Sequence, residues 1–171
     1  MKTFFIVTIF LTSTMTSYAM VPEKVKLTRS RSHGDQNKYF TKIFRESRSA
    51  YALATAHIGT FKDPQLNALT NRIQDDQRVL MQTIQDTARM KDFELPASPG
   101  PTTLQRLSVE SFLEQEIEIH ENILNDIKNS SSPVLMNMRQ RVQTALENAR
   151  RIHDDRRQAQ EEQAAGKRKW P

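Results

Sequence analysis

Apolar residues return every three or four positions along most of this chain, and four separate stretches carry that rhythm. Phe40, Phe44, Ser47, Tyr51, Ala54 and Ile58 make one mostly apolar stripe, which predicts a first helix from about Gln36 that Gly59 weakens at its end. Asp63-Pro64 reads as the start of a second helix. An aspartate there accepts from free N–H groups of the first turn, and proline fits the first helical position. Leu66, Leu69, Ile73, Leu80, Ile84 and Ala88 form its buried face, Asp75-Asp76-Gln77 interrupts that face, and the helix should end near Lys91. The stretch DFELPASPGPTT cannot be helical throughout and serves as the main connection. A third helix carries Leu113, Ile117, His120, Leu124 and Ile127 on one face and stops at NSSSP. Ser132-Pro133 repeats the cap-plus-proline start, and Leu135, Met138, Val142, Ala145, Ala149 and Ile152 stripe a fourth helix. That helix runs on toward about Ala165 without a packed face. No period-2 run reads as a strand and no repeat of fixed period occurs. The predicted fold is all-α, an antiparallel four-helix bundle with a proline-rich connection between helices two and three.

The two ends change the picture. The chain opens MKTFFIVTIFLTSTMTSYA, with Lys2 as a short basic region, Phe4 to Leu11 as an apolar core and Ser17-Tyr18-Ala19 as small cleavage-site residues. This is the layout of a secretory signal peptide, too short in its apolar run to span a bilayer, where about 20 residues are needed. Cleavage is expected after Ala19, leaving residues 20–171 as a soluble mature chain. Residues 20–35 lack periodicity and read as a flexible arm, 36–157 as the bundle, and 158–171 as a polar, basic tail. The chain has no cysteine, so an exported form is held by its core alone and carries no thiol-linked lipid.

Lys and Arg number 25 against 20 Asp and Glu, a net charge of +5. The basic excess gathers at the ends, at Lys24, Lys26, Arg29 and Arg31 and again at Lys167, Arg168 and Lys169. Such runs solvate the termini and offer contact with an anionic membrane or polymer. Nucleic acid is not expected, because no aromatic residues interleave with the basic ones.

The middle of the chain resembles a known family. IQDDQRVLMQTIQDTARMKDFELP, from Ile73, and SVESFLEQEIEIHENIL, from Ser108, are similar to segments of the domain of unknown function 4142 family of exported bacterial proteins. The resemblance covers roughly residues 40–157. It rests on the Leu95-Pro96 turn after the second helix and on Phe112 followed eight residues on by His120. The resemblance implies a ferritin-like bundle and no established activity, and taken with the N-terminal layout it implies periplasmic localisation. The chain departs from the family pattern at Asp76-Gln77, where Asp-His is common, at Ser108-Val109, where Phe-Asp is usual, and at Met138, where a histidine often stands.

Candidate chemistry is sparse. A di-iron bundle site draws carboxylates from two helices and Glu-x-x-His from the other two, and this chain has no Glu-x-x-His. Glu116 and His120, four apart, still share a helix face. Glu46, Asp76 and Glu116 fall near the middle of their helices, so Glu46, Asp76, Glu116 and His120 form the candidate metal set. His153 lies about 18 Å further along the bundle than His120 and cannot share an ion with it. Without a metal, His120 is expected to be a buried neutral imidazole bonded to Glu116 or Asp76. His57 and His153 are expected at partly exposed stripe edges, His33 in the arm. Met81, Met90, Met136 and Met138 are expected to fill core gaps, with a copper site as the sharper alternative. No catalytic set emerges: there is no cysteine nucleophile, no G-x-S-x-G elbow and no glycine-rich phosphate loop. The expected function is a non-enzymatic, exported bundle of the bacterial envelope, binding a protein or envelope partner or supporting stress tolerance. The rival readings are a metal-binding ferritin-like protein and a small periplasmic chaperone.

Overall fold

The computed structural model describes residues 23–97 and 106–167, with side chains from Gly34 onward except those of Asp35 and Lys167. The expected signal peptide and the three residues after it, the middle of the proline-rich connection and residues 168–171 lie outside the described residues. Four helices make up the fold: α1 (Glu23–His57), α2 (Pro64–Lys91), α3 (Val109–Asn129) and α4 (Pro133–Lys167). No strand occurs among the described residues, and the all-α four-helix bundle is as expected. Helix α1 begins at Glu23, so the part of the expected arm that is described is helical.

The turns explain the helix ends. Asp63 sits in extended backbone and its side chain accepts from Gln65 N at 2.8 Å, with Pro64 in the first turn. Ser108 does the same for α3, accepting from Ser111 N at 3.1 Å. Helix α4 starts at Pro133 as expected, but Ser132 Oγ is buried without a hydrogen-bond partner and caps nothing. The preceding Ser130 hydroxyl takes over the turn by accepting from Ser132 N at 3.1 Å. Helix α2 ends on Asp92 in the left-handed region (φ 51), and Phe93 N donates to Ala88 O.

Contacts at the two ends of the long connection fix the topology. Just after α2, the Phe93 ring packs on Phe40 near the start of the packed part of α1, at 5.7 Å. Ala97 O then accepts from Arg48 Nη1 at 3.1 Å, further along α1. Just before α3, Leu107 N donates to His57 Nε2 at 2.9 Å, at the far end of α1. The two ends of the connection therefore lie at opposite ends of the bundle, and a hairpin between α2 and α3 is ruled out. Helix α3 runs antiparallel to α1, as the Lys42–Asp126 pair shows, and α4 returns antiparallel to α3 through Arg150–Glu121 and Arg156–Glu110. Helix α1 neighbours α2 and α3, α4 neighbours α3 and α2, and α2 and α3 face each other across the diagonal.

The expected faces of α2 and α4 are buried throughout. Helix α3 is rotated from its expected face: Phe112, Glu116 and Ile123 are buried, while Ile117 and Leu124 are only partly so. On α1, Ile43, Ala50, Leu53 and His57 join the core, Tyr51 is half-buried and Ile58 is exposed. His57 is thus no stripe-edge residue. Its Nδ1 donates to Leu53 O at 2.9 Å, its Nε2 accepts from Leu107, and its ring packs on both Phe61 and Phe112. Of the four methionines expected in core gaps, Met138 is buried and Met81 partly so, whereas Met90 and Met136 are exposed.

Gly59 takes a positive φ of 67° in the turn after α1, with open space around its α-carbon. Because only backbone strain opposes a side chain there, Gly59→Ala is expected to lower stability by about 1 kcal/mol. Urea unfolding of the two proteins measures this, and an unchanged midpoint would refute it.

Candidate functional site

The core of the bundle is split across its middle by polar side chains. On one side lie Ala50, Leu53, Ile73, Phe112, Leu113 and Ala149; on the other Phe40, Phe44, Leu80, Ile123, Ile127 and Val142. Between these halves each of three helices places polar groups on its buried stripe: Ser47 from α1, Asp76 and Gln77 from α2, Glu116 and His120 from α3. Ser47, Gln77, Glu116 and His120 have no exposed surface, and Asp76 has 8%. Helix α4 contributes the small side chain of Ala145 at this level and reaches it from the rim through Arg141.

His120 organises the layer. Its Nδ1 donates to the backbone carbonyl of Glu116 at 2.7 Å, one helical turn earlier. That bond requires the proton on Nδ1 and leaves Nε2 as an acceptor for the neutral ring. The side-chain amide of Gln77 donates to Nε2 at 3.0 Å, a hydrogen bond across the bundle diagonal from α2 to α3. The imidazole is thus buried and bonded, as expected, but to a backbone carbonyl and to Gln77 rather than to a carboxylate. The Glu116 carboxyl lies 3.4 Å from Nδ1, too far for a strong bond, and neither of its oxygens has a hydrogen-bond partner among the described residues. Gln77 Oε1 and Ser47 Oγ are likewise buried and unpartnered.

Removal from water sets the protonation of the pair. Burial raises the Glu116 carboxyl well above the ordinary carboxylate range. Burial lowers His120, against the opposing pull of its bond to the Glu116 carbonyl and of the Asp76 charge. Both groups are held neutral, as an uncompensated charge in a dry core demands.

Of the four candidate metal ligands, the structure brings together Glu116 and His120. Asp76 lies at the edge of the layer, where its carboxylate accepts from Arg141 Nη1 at 3.1 Å and faces Arg72 Nε at 3.5 Å. Glu46 lies elsewhere, in the neighbourhood of Lys42, Asp126 and Glu118. Burial, then the Asp126 charge, raises its carboxyl. Among the described residues no three His, Asp or Glu side chains are grouped to hold a metal ion. His153 sits apart from His120, in an open groove of about 330 Å³ between α3 and α4 that is also bordered by Glu110, Glu114 and Arg156. The charges of that groove are largely satisfied within it: Glu110 accepts from both Arg156 and Gln160, and its carboxyl is lowered.

Sequence reasoning marked Asp76-Gln77 as an interruption of the α2 face without recognising Gln77 as the partner of His120. The available signal was its position. Gln77 is four residues after Ile73 and three before Leu80, on the same stripe that buries both.

The two neutral groups leave opposite marks on stability. Unfolding releases a proton from Glu116 above pH 4.5, its ordinary value, and takes one up at His120 below pH 6.5. Below pH 6.5 the uptake at His120 opposes the release at Glu116, down to the lowered folded value of the imidazole. Above pH 6.5 only Glu116 contributes, and stability falls as pH rises toward its folded value, with a limiting slope of about 1.4 kcal/mol per pH unit. Glu116→Gln should remove the loss above pH 6.5, and His120→Gln should remove the opposing contribution just below it. Chemical denaturation of the wild type and both variants across pH 3.5–9 checks this, and a Glu116→Gln curve parallel to wild type above pH 6.5 contradicts it.

Compared with models of protein families, with curated proteins and with solved structures, the chain matches none.

Proposed function

We propose that this chain is an exported, non-enzymatic helical bundle of the bacterial cell envelope that acts by binding a protein or envelope partner. The observation that carries this reading is the enclosure of Glu116 and His120. The pair suited by residue type to acid–base work is fully buried and held neutral, its imidazole bonded on both nitrogens, so no substrate reaches it in this conformation. The N-terminal layout supports export, and among the described residues no helix is long and apolar enough to cross a membrane. The test is expression of the full chain in a Gram-negative host, fractionation and intact-mass measurement, followed by cross-linking in the envelope. A periplasmic species beginning at Met20 that forms a reproducible cross-linked complex is the expected result. An uncleaved cytoplasmic chain refutes export, and an exported chain that forms no complex refutes the binding role.

One observation favours a second reading, a metal-binding ferritin-like protein. The Glu116 carboxyl adjoins the His120 ring with both oxygens unpartnered, inside a bundle with the single long crossover that ferritin-like folds use. Elemental analysis of untagged protein, with His120→Ala beside it, decides between them. Near-stoichiometric metal that is lost in the variant establishes the second reading, and metal-free wild type removes it.

A further inference from the structure

The polar layer is sealed unevenly. Of the four seams between neighbouring helices, that between α2 and α4 is the thinnest. Among the described residues, three of the four large apolar side chains that remain exposed belong to these two helices: Val79 and Met90 on α2 and Met136 on α4. The ion pair Asp76–Arg141 ties α2 to α4 at the level of the layer, and Asp63–Arg156 ties the top of the bundle where α2 begins. Among the described residues, no ion pair or side-chain hydrogen bond joins the two helices between Leu80 and Lys91. Asp76 precedes Gln77, whose amide is bonded to His120 Nε2. A tie at the rim and the innermost hydrogen bond therefore sit on adjacent residues of one helix.

From this geometry we infer that the bundle opens along the α2–α4 seam, and that the Asp76–Arg141 pair is the latch that keeps water and small solutes from Glu116 and His120. When the latch parts, α2 swings from α4, Gln77 leaves Nε2, and His120 meets solvent while the rest of the fold stays closed. The inference concerns access to the layer and stands whichever reading of function holds.

The other seams do not offer this route. Between α1 and α3, Lys42 bonds Asp126 at 3.0 Å, and Gln36 reaches Ser131. The α3–α4 seam is held by Arg150–Glu121 and Arg156–Glu110, and α1 and α2 are joined by a short turn, by Gln74–Thr55 and by dense apolar packing.

His57 supplies an internal control. It is as deeply buried as His120 and its Nε2 is also hydrogen-bonded, but it belongs to the top of the bundle, under Phe61 and Phe112, away from the seam. Diethyl pyrocarbonate acylates neutral imidazole nitrogens that reach solvent, and peptide mass spectrometry reads each histidine separately. Partly exposed His153 should react faster than His57 and His120 in every protein. Arg141→Met, which keeps the aliphatic stem and removes the guanidinium, should raise the rate at His120 about tenfold, as expected for losing a charged hydrogen bond, and leave His57 unchanged. Arg141→Lys should restore part of the protection. Lys42→Met, which removes the tie on the α1–α3 seam, should leave His120 at its wild-type rate. Equal acceleration of His57 and His120 in Arg141→Met would mean global loosening and overturn the proposal. So would an unchanged His120 rate in that variant, or an equal response to Lys42→Met.

Discussion

The structure turns on the burial of an ionisable pair at the centre of a bundle that has no disulfide to hold it. A carboxyl and an imidazole placed among Phe, Leu and Ile side chains are tolerated only as neutral groups, and the neutral imidazole must still find partners for both nitrogens. Helix α3 supplies one from its own backbone and α2 supplies the other through Gln77. The second bond runs across the diagonal, between two helices that do not otherwise neighbour each other. It exists only when α2 and α3 stand at one relative height and rotation, and so it fixes their register. An all-apolar middle would hold the helices together as well or better but would permit more than one alignment.

That register depends in turn on the crossover. A hairpin between α2 and α3 would make them antiparallel, whereas a connection between opposite ends of the bundle makes them parallel. The chain secures the crossing at three levels of α1: Phe93 on Phe40, Ala97 on Arg48 and Leu107 on His57. His57 therefore matters more than its place near a helix end suggests. Its Nδ1 terminates a turn of α1 by bonding Leu53 O, and its Nε2 takes the N–H of the residue that leads into α3. One imidazole joins the end of α1 to the segment that leads into α3.

Much of this fold was legible from periodicity. The stripes of α2 and α4 were read residue by residue, because their apolar positions are dense and are bounded by proline. The α3 face was misread by a fraction of a turn. Ile117, Ile119, Leu124, Ile123 and Ile127 ring that helix on several sides, and a rule that seeks apolar residues does not place Glu116 on the inner face. The same bias hid Gln77. Charged and amide side chains on a buried stripe read as breaks in the pattern, whereas here the break on α2 supplies the Gln77 amide that bonds His120 on α3. The connection order was not legible at all. A proline-rich segment of that length spans either a hairpin or a crossing, and the choice is made by His57, Phe40 and Arg48, residues distant in sequence from the segment they hold.

The position of the layer also accounts for where the bundle is weakest. Three helices give polar side chains to it, and α4 passes the same level with Ala145 inside and Arg141 at the rim. The charged tie between α2 and α4 at that level is Asp76 with Arg141, two groups at the boundary with water. Such a pair contributes less than buried apolar surface does, and salt screens it. The constraint that fixes register at the centre thus creates compliance at one edge, since the polar groups that align α2 with α3 take the place of the apolar side chains that would have closed α2 onto α4.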